Sequence, residues 1–426
     1  MKVVVVGGGP AGFSAAIVAK QVGAEVTVIE RMDMLGGLGL VAGVTMIGSS
    51  EIPLTEEQAL GGAHLHEIFE SIATHKGIGP KEAPGSENVT TYNVTKLDSR
   101  LQNAFRERKI EFMLRKRVVD IEMSGQTTKA VILSDGTKVQ GEAFIDATGG
   151  ATGPEGCQKF RGCVGCIMRC PTFGPLGGMI ERKVKTVSEN PPKIGSSVLV
   201  PISSLSERVQ NELKEKGYVM WKGIPPNAKA DTERYNAVAS RTLPGIGDDY
   251  VAQNLVIFDV GGFVKVWGVG SPLYAGSLRS FPGMEDAVVT MPTAGSFGQM
   301  IMDTSLALHD SSLKIDGLEN VFCAGVKCGP TGFLLDAIIS GDLAGYNAVR
   351  KGLGKECLKL PKTLAVGAFI DHLAEAIRSE EGRSKRYGAN RADLMKKLGV
   401  YREKKEDIIK EVERAGLKGI YKSPVR

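Results

Sequence analysis

An α/β fold built on a parallel sheet is the architecture that this 426-residue sequence predicts. The first observation is the order of the opening segments: an apolar run at 2–6, a glycine-rich turn at 7–12, a helical stretch, and a second apolar run at 25–29. The second is a globular composition, with 42% hydrophobic and 24% charged residues. The third is length, because a chain of this size exceeds one ordinary core and predicts two or three domains.

The turn between the two apolar runs has the spacing of a dinucleotide-binding Rossmann motif. Gly7 permits a tight turn, Gly9 lets a pyrophosphate approach the backbone, and Gly12 allows the helix to pack closely on the sheet. The helix N-terminus then faces the phosphates. Glu30 ends the second strand, where an acidic side chain accepts hydrogen bonds from a ribose diol. We therefore predict a dinucleotide site rather than an ordinary glycine-rich turn.

Three further blocks extend this motif. They are the loop LGGLGL at 35–40, a strand ending in ATGG at 144–150, and a strand, turn and long helix at 317–352. Together they resemble the glutathione-reductase-type FAD-binding fold, in which a distant strand and helix return to close the flavin site. The closer resemblance is to the GidA-like flavoproteins, which include TrmFO, MnmG and FAD-dependent oxidoreductases of anaerobes with a cysteine motif. This resemblance implies FAD as the cofactor.

The resemblance also implies which residues line the FAD site. Those expected along the ADP half are Gly7, Gly9, Gly12, Glu30, Arg31, Gly37, Val118, Ala147 and Gly149. Those expected at the flavin half are Gly325, Gly332 and Phe333. A helix that begins near Leu334 would direct its positive end at the flavin, where it would stabilise a reduced, anionic ring.

The N-terminus predicts a cytoplasmic protein that does not enter a membrane. Met1 and Lys2 run directly into the first strand without a cleavage site, and no apolar stretch reaches the length of a membrane span. The net charge of +5 is weak support for nucleic-acid binding. GVGSPL at 268–273 lacks a third glycine, so we predict no nicotinamide site and expect a ferredoxin-type electron partner.

Four cysteines within fourteen residues form a second motif: Cys157, Cys163, Cys166 and Cys170, the last followed by Pro171. Clustered thiols in a reducing compartment are typical of metal ligands rather than disulfides. Zinc ligands usually come as two close pairs separated by a longer loop, so this spacing favours one [4Fe–4S] cluster beside the flavin. Structural zinc and a redox-active dithiol are the alternatives.

Few side chains are candidates for catalysis near the flavin. His64 and His66 follow the LGGLGL loop, which lies where this fold often covers the flavin, and Cys328 lies in the turn expected to face it. The alternative for each histidine is a surface or structurally bonded side chain, and for Cys328 a plain turn residue. Cys323 is predicted to be a small core residue.

Four segments are expected along the chain. Residues 1–174 form the first part of the FAD-binding domain and carry the cysteine motif, and 175–300 form an inserted α+β substrate domain. Residues 301–354 return to the FAD-binding domain, and 355–426 form a C-terminal helical segment. Within the insert we predict a helix at 202–216 and three strands after it.

The function that these motifs favour is an iron–sulfur flavoenzyme. It would couple the cluster to two-electron chemistry on a small molecule, such as polysulfide, and would form a homo-oligomer. The alternative is a tRNA uridine-modifying flavoprotein, which we disfavour because no cysteine precedes Cys157 and no basic stripe with aromatic residues is visible. A non-catalytic electron carrier is the third reading.

Overall fold

The structure, a computed structural model, describes residues 1–37, 40, 45–48, 51–81, 88–149, 186–187, 196–223, 254–267, 278–289, 291–294, 306–329, 331, 334–384 and 392–425. Its strands are β1 (Lys2–Val6), β2 (Glu25–Ile29), β3 (Met46–Gly48), β4 (Ala73–Ile78), β5 (Val89–Tyr92), β6 (Glu111–Met113), β7 (Val118–Ser124), β8 (Thr127–Leu133), β9 (Lys138–Gln140), β10 (Ala143–Asp146), β11 (Thr186–Val187), β12 (Ser196–Pro201), β13 (Tyr218–Lys222), β14 (Asn254–Asp259), β15 (Phe263–Trp267), β16 (Met291–Ala294), β17 (Leu306–Ala307) and β18 (Val321–Cys323).

The helices in this part of the chain are α1 (Pro10–Gln21), α2 (Glu51–Leu60), α3 (His64–Ser71), α4 (Leu97–Glu107), α5 (Glu207–Lys216), α6 (Leu334–Gly352), α7 (Ala365–Ala376), α8 (Glu380–Ser384), α9 (Ala392–Lys397) and α10 (Lys405–Arg414). None of these described helices combines the length and the apolar run that a membrane crossing requires.

A five-stranded parallel sheet forms the centre of the fold, in the order β18-β10-β1-β2-β6. Val3, Val4 and Val5 of the central strand are fully buried, as expected for a parallel strand covered on both faces. The chain enters this sheet four times before residue 150 and returns to it once, through β18. The predicted α/β class with a returning strand and helix is therefore confirmed.

Helices α1 and α6 pack against each other with their backbones in contact. A Cβ added at Gly341 would lie 2.4 Å from the carbonyl oxygen of Ala11, and one at Gly345 would lie 2.3 Å from that of Ala15. Real Cβ atoms never come that close, so only glycine allows this approach. The returning helix is thus fixed directly on the helix that follows the glycine motif.

An antiparallel sheet of five strands, in the order β13-β14-β15-β12-β16, forms a second body with its own core. Val209 and Leu213 of α5 cover it and are fully buried. The helix expected at 202–216 begins at 207, because residues 202–204 form a separate 3₁₀ turn. The domain boundaries expected at 174/175 and 300/301 lie outside the described residues, so that division stays a prediction.

A small sheet that we did not predict, β3-β5-β4, joins the two bodies. His75 Nε2 lies 3.0 Å from Asp259 Oδ2, at the end of β14. The Thr74 hydroxyl donates to the main-chain carbonyl of Asp259 at 3.1 Å. Met46 and Val89 are buried in the core of the second body. The small sheet therefore contributes both polar and apolar contacts to the interface.

Three buried carboxylates hold the C-terminal helices to this framework. Glu56 is fully buried, and its two oxygens accept hydrogen bonds at 2.9 Å from the amides of Ala365 and Val366, in the first turn of α7. A carboxylate at this position satisfies amides that have no partner within the helix, and it interacts favourably with the helix dipole.

Glu57 and Asp342 form a buried acid pair beside Glu56, between α2 and α6. Asp342 Oδ2 accepts a hydrogen bond from the Ala63 amide at 2.8 Å, and a Cβ on Gly62 would lie 2.3 Å from that oxygen. Burial raises the pKa of Asp342 to about 7, while the Ala63 amide opposes the shift. Burial and the neighbouring Asp342 carboxylate raise the pKa of Glu57 well above its usual range.

The pair makes the folded state more stable at low pH. Because the pKa of Asp342 is raised from 3.8 to about 7, its contribution is fully present below pH 3.8 and is lost as the pH rises through 7. Burial raises the pKa of Glu56 to about 7 as well, and it acts in the same direction. The lowered pKa values of His66 and His309 act in the opposite direction, so a comparison between variants is needed to isolate the pair.

We predict that Asp342→Asn flattens this pH dependence. The asparagine carbonyl keeps an acceptor for the Ala63 amide, and its NH₂ group can donate to Glu57, so the variant mimics the protonated pair. Between pH 5 and pH 8 the wild type should lose on the order of 2 kcal/mol more stability than the variant, since one pKa unit is worth about 1.4 kcal/mol. Urea unfolding at the two pH values measures this difference. The exposed control Asp407→Asn should follow the wild type, and an equal slope in all three proteins would contradict the acid pair.

Candidate functional site

The glycine motif forms a tight turn between β1 and α1. Gly7 has φ +107°, a conformation that disfavours any side chain, and an added Cβ would lie 2.3 Å from the carbonyl oxygen of Ala147. A Cβ on Gly12 would lie 1.9 Å from the carbonyl oxygen of Gly7. These two glycines are therefore required by the protein's own packing, and they bring α1 and the end of β10 together.

Gly9 and Gly149 are required for a different reason, because they face open space. A Cβ on Gly9 would meet only Gly37 Cα, at 3.8 Å, and one on Gly149 would meet no atom within 4 Å. Gly9 is also the N-cap of α1, where no side chain caps the helix, and Pro10 follows it. The bare glycine backbone lies at the positive end of a helix dipole. This cradle fits a pyrophosphate group.

Glu30 is held beside this cradle by two backbone amides. Its carboxylate accepts hydrogen bonds from Gly8 at 2.7 Å and from Met32 at 2.8 Å. Burial raises the pKa of Glu30, and the two amides oppose the shift, as does the neighbouring Arg31 guanidinium. Each oxygen keeps a second lone pair, so the anchored carboxylate remains able to accept hydrogen bonds from a ribose diol.

The ATGG segment completes the wall of the cradle. Asp146 Oδ1 accepts hydrogen bonds from the amide and the hydroxyl of Thr148, at 3.0 and 2.7 Å, which fixes the turn that carries Ala147 and Gly149. Val118, expected to meet the adenine through its backbone, begins β7 and is buried. Sequence reasoning missed Asp146, although an acidic residue before the ATGG segment was visible in the sequence.

The return block reaches the cradle through β18, which pairs with β10. Gly325, with φ +74°, would place an added Cβ 3.0 Å from the Cβ of Ala11, and its amide donates to the Ser340 hydroxyl at 2.9 Å. Helix α6 begins at Leu334, as predicted. Gly332 and Phe333 lie outside the described residues. The structure therefore brings Gly325 to the first turn of α1.

Two titratable groups are buried in the turn after β18. Lys327 is fully buried. Burial lowers the pKa of its ammonium, while the Asp146 carboxylate opposes the shift. His309 is also fully buried, and its Nε2 lies 2.8 Å from the carbonyl oxygen of Cys328. Burial lowers the pKa of His309. The 325–328 turn thus carries a lysine next to Cys328 and is tied to a histidine from another segment.

His64 and His66 lie at the start of α3. His64 Nδ1 is 3.2 Å from Glu67 Oε2, and the ring lines a cleft of about 230 Å³ with Phe13, Ile17 and other residues of α1, α3 and α4. The cleft is therefore lined by the middle of α1 rather than by the glycine turn. His66 is buried, and burial lowers its pKa. Catalytic roles for these histidines and for Cys328 stay predictions.

The four clustered cysteines, Cys157, Cys163, Cys166 and Cys170, lie outside the described residues. Their assignment as metal ligands therefore stays a prediction.

Comparison with known proteins identifies the family. Residues 2–152 match the family described as FAD dependent oxidoreductase, and residues 274–356 match the family described as glucose inhibited division protein A. Together the two matches cover more than half of the chain and contain both the glycine motif and the return block. The chain is a GidA-like FAD-dependent oxidoreductase. The predicted flavoenzyme class and the FAD cofactor are thereby confirmed.

Individual relatives are distant but extensive. The tRNA uridine 5-carboxymethylaminomethyl modification enzyme MnmG of Alkaliphilus oremlandii is 25% identical over 87% of this chain, which spans 65% of that enzyme's length. The methylenetetrahydrofolate–tRNA-(uracil-5-)-methyltransferase TrmFO of Desulfotalea psychrophila is 32% identical over 23% of this chain and 21% of its own. Aquifex aeolicus GidA, with a TM-score of 0.68 and 19% identity, covers 97% of this chain and 76% of its own, and shares the fold.

These relatives overturn the function favoured above. The prediction of an iron–sulfur enzyme that acts on a sulfur compound is wrong, because the curated relatives that match are flavoproteins named for tRNA modification. The four-cysteine motif led to that error, since its spacing was weighed more heavily than the family resemblance.

We predict that Gly9→Ala weakens FAD binding without destabilising the fold. The added methyl group meets no atom closer than 3.8 Å in the protein, but it occupies the face that a pyrophosphate would contact. FAD affinity should fall by roughly tenfold or more, since a lost close contact of this kind is worth at least about 1.4 kcal/mol. Flavin fluorescence titration of the apoprotein measures the affinity, and thermal unfolding of the same apoprotein measures the stability.

Gly12→Ala provides the contrast, because its methyl group would lie 1.9 Å from the Gly7 carbonyl oxygen. This variant should lose stability and FAD binding together. Wild-type affinity in Gly9→Ala would show that the pyrophosphate does not lie on this turn.

Proposed function

We propose that the chain is a flavoprotein that modifies uridine in tRNA. The observation that carries this proposal is the alignment with a tRNA uridine modification enzyme over 87% of the chain, which extends well beyond the nucleotide-binding motif. A second relative that matches part of the chain is also named for a reaction at uracil in tRNA. The shared chemistry is a change at the uracil ring, so a uridine base is the substrate that we infer.

The chain's own residues support the flavin half of this reaction. The glycine turn and the uncapped end of α1 would hold the pyrophosphate, and Glu30 would hold the adenosine ribose. When bound, FAD supplies transfer of an electron pair. Gly325 lies against the first turn of α1, so the turn that follows it would pass beside the flavin. The buried ammonium of Lys327 would place a proton or a positive charge near the ring.

The antiparallel sheet β13-β14-β15-β12-β16 would form the substrate side. It has a core separate from the nucleotide-binding core, and it contacts the flavin-binding body through the His75–Asp259 pair. A separate substrate domain beside an FAD fold gives room for a base that enters from a large RNA. We infer that this domain belongs to the segment 175–300.

The net charge of +5 would favour association with an RNA polyanion. Binding to tRNA should therefore weaken as the salt concentration rises, because counterions compete for the phosphates.

We predict that cells without this protein lack one C5-modified uridine in their tRNA. Mass spectrometry of tRNA nucleosides from a deletion strain would show the loss, and expression of the wild type should restore the nucleoside. Expression of Gly9→Ala, which keeps the fold and weakens FAD binding, should restore little of it. Identical nucleoside profiles with and without the protein would contradict the proposal.

A binding measurement provides an independent check. Filter binding of purified protein to unmodified tRNA should give an affinity well above the roughly 10–100 μM range of non-specific contacts, with a steep dependence on salt. A double-stranded DNA of similar length serves as the control. Equal binding of both nucleic acids would show that the affinity is only electrostatic.

A further inference from the structure

Two cysteines outside the four-cysteine motif are in direct contact. Cys323, at the end of β18, and Cys328, in the turn that follows, have sulfur atoms 3.4 Å apart. Both residues are free cysteines and are buried, with exposures of 0% and 1%. The sequence alone predicted a core residue and a turn residue. Their pairing depends on the 3₁₀ turn at 325–328, which folds back on the strand.

The reduced pair has a defined hydrogen-bond arrangement. The Cys328 thiol donates to the Cys323 sulfur, and the Cys323 thiol donates to the carbonyl oxygen of Leu313 at 3.6 Å. Burial and the neighbouring thiol raise the pKa of Cys323 well above its usual range. Both groups are therefore protonated thiols, shielded from solvent oxidants, and they would react with an oxidant held inside the protein.

The two sulfurs need to approach by about 1.4 Å to reach the disulfide length of about 2.05 Å. The chain between them contains Gly325, which already has a positive φ of +74°. Cys328 also borders a small cavity of about 10 Å³, room for about one water molecule, together with Thr331 and Ile339. A side-chain rotation at Cys328 therefore meets free space on one side.

The pair lies next to the flavin end of the nucleotide site. Gly325, between the two cysteines, packs on Ala11 in the first turn of α1. Cys328 immediately precedes the turn 329–333, which the family resemblance places beside the isoalloxazine. The two thiols are thus the reducible pair nearest to the expected position of the flavin among the described residues.

We propose that Cys323 and Cys328 form a reversible disulfide that exchanges an electron pair with bound FAD. In the forward direction the two S–H bonds break and one S–S bond forms. The two electrons and two protons pass to the oxidised flavin, which becomes the dihydroflavin. In the reverse direction the disulfide accepts them again. The inference rests on FAD binding and does not depend on the tRNA substrate.

A metal site is the alternative for the same side chains, because His309 lies within 4.8 Å of both sulfurs. The imidazole does not favour it. Its Nδ1 faces the carbonyl oxygen of Asp310, and its Nε2 faces that of Cys328, each at 2.8 Å. Both in-plane directions of the ring nitrogens are thus directed at carbonyl oxygens and away from a shared ion. His309 instead fixes the turn that presents Cys328.

Trypsin offers a direct test, because it cleaves after Lys327, between the two cysteines. The wild-type apoprotein is equilibrated with glutathione buffers of graded potential, the free thiols are alkylated, and the protein is digested. We expect peptides 315–327 and 328–350 to be joined by a disulfide at oxidising potentials and separate at reducing ones. Cys357→Ser, which changes a cysteine elsewhere, should behave like the wild type.

The outcomes separate the alternatives. Cys328→Ser should give no joined peptides, and the peptide that carries Cys323 should then be alkylated at all potentials. Absence of joined peptides in the wild type across the whole range would overturn the proposal. Thiols that are protected from alkylation only after zinc is added, without joined peptides, would overturn it in favour of a metal site.

Electron transfer to the flavin is tested by reductive titration of the oxidised, FAD-loaded protein with dithionite under anaerobic conditions. The wild type should consume two more electrons per flavin than Cys328→Ser before excess reductant accumulates. The four-cysteine motif is present in both proteins, so it does not affect the difference. Equal consumption in the two proteins would show that the pair does not exchange electrons with the flavin. A tRNA substrate is absent, so failure of the proposed function leaves the result unchanged.

Discussion

The backbone contact of α1 with its neighbours is the constraint on which the rest of the structure depends. Gly12 brings the helix onto the carbonyl oxygen of Gly7, while Gly341 and Gly345 bring the returning helix α6 onto α1. One short helix thus fixes the glycine turn on one side and the return block on the other. Any side chain at these three glycines would separate the two halves of the cofactor site.

This constraint explains why cofactor and substrate have different degrees of support. The cradle is built from local backbone geometry, and the family matches on both sides of the chain include it, so FAD follows directly. The substrate depends on the second body, whose relation to the relatives is distant in sequence. The tRNA assignment therefore comes from the length of the alignment, and the described side chains add the position of Lys327 and Cys328 beside the expected flavin.

The nucleotide half of the site could be predicted because its signals are local. Gly7, Gly9 and Gly12 lie within six residues, and Glu30 ends the adjacent strand, so spacing alone placed them together. The buried acid pair could not be predicted, because Ala63 and Asp342, which hydrogen bond there, are 279 residues apart. The small sheet β3-β5-β4 was missed because its strands are short and one of them is irregular. Cys323 and Cys328 were seen singly, since only the folded turn shows their contact.

A crystal structure of the protein with bound FAD tests the central claim most directly. The account predicts the pyrophosphate against Gly9 and the N-terminus of α1, and the adenosine ribose hydroxyls on Glu30. It also predicts the isoalloxazine against the turn 329–333, with Cys328 next to it. A flavin bound elsewhere, or a pyrophosphate that does not contact the glycine turn, would contradict it.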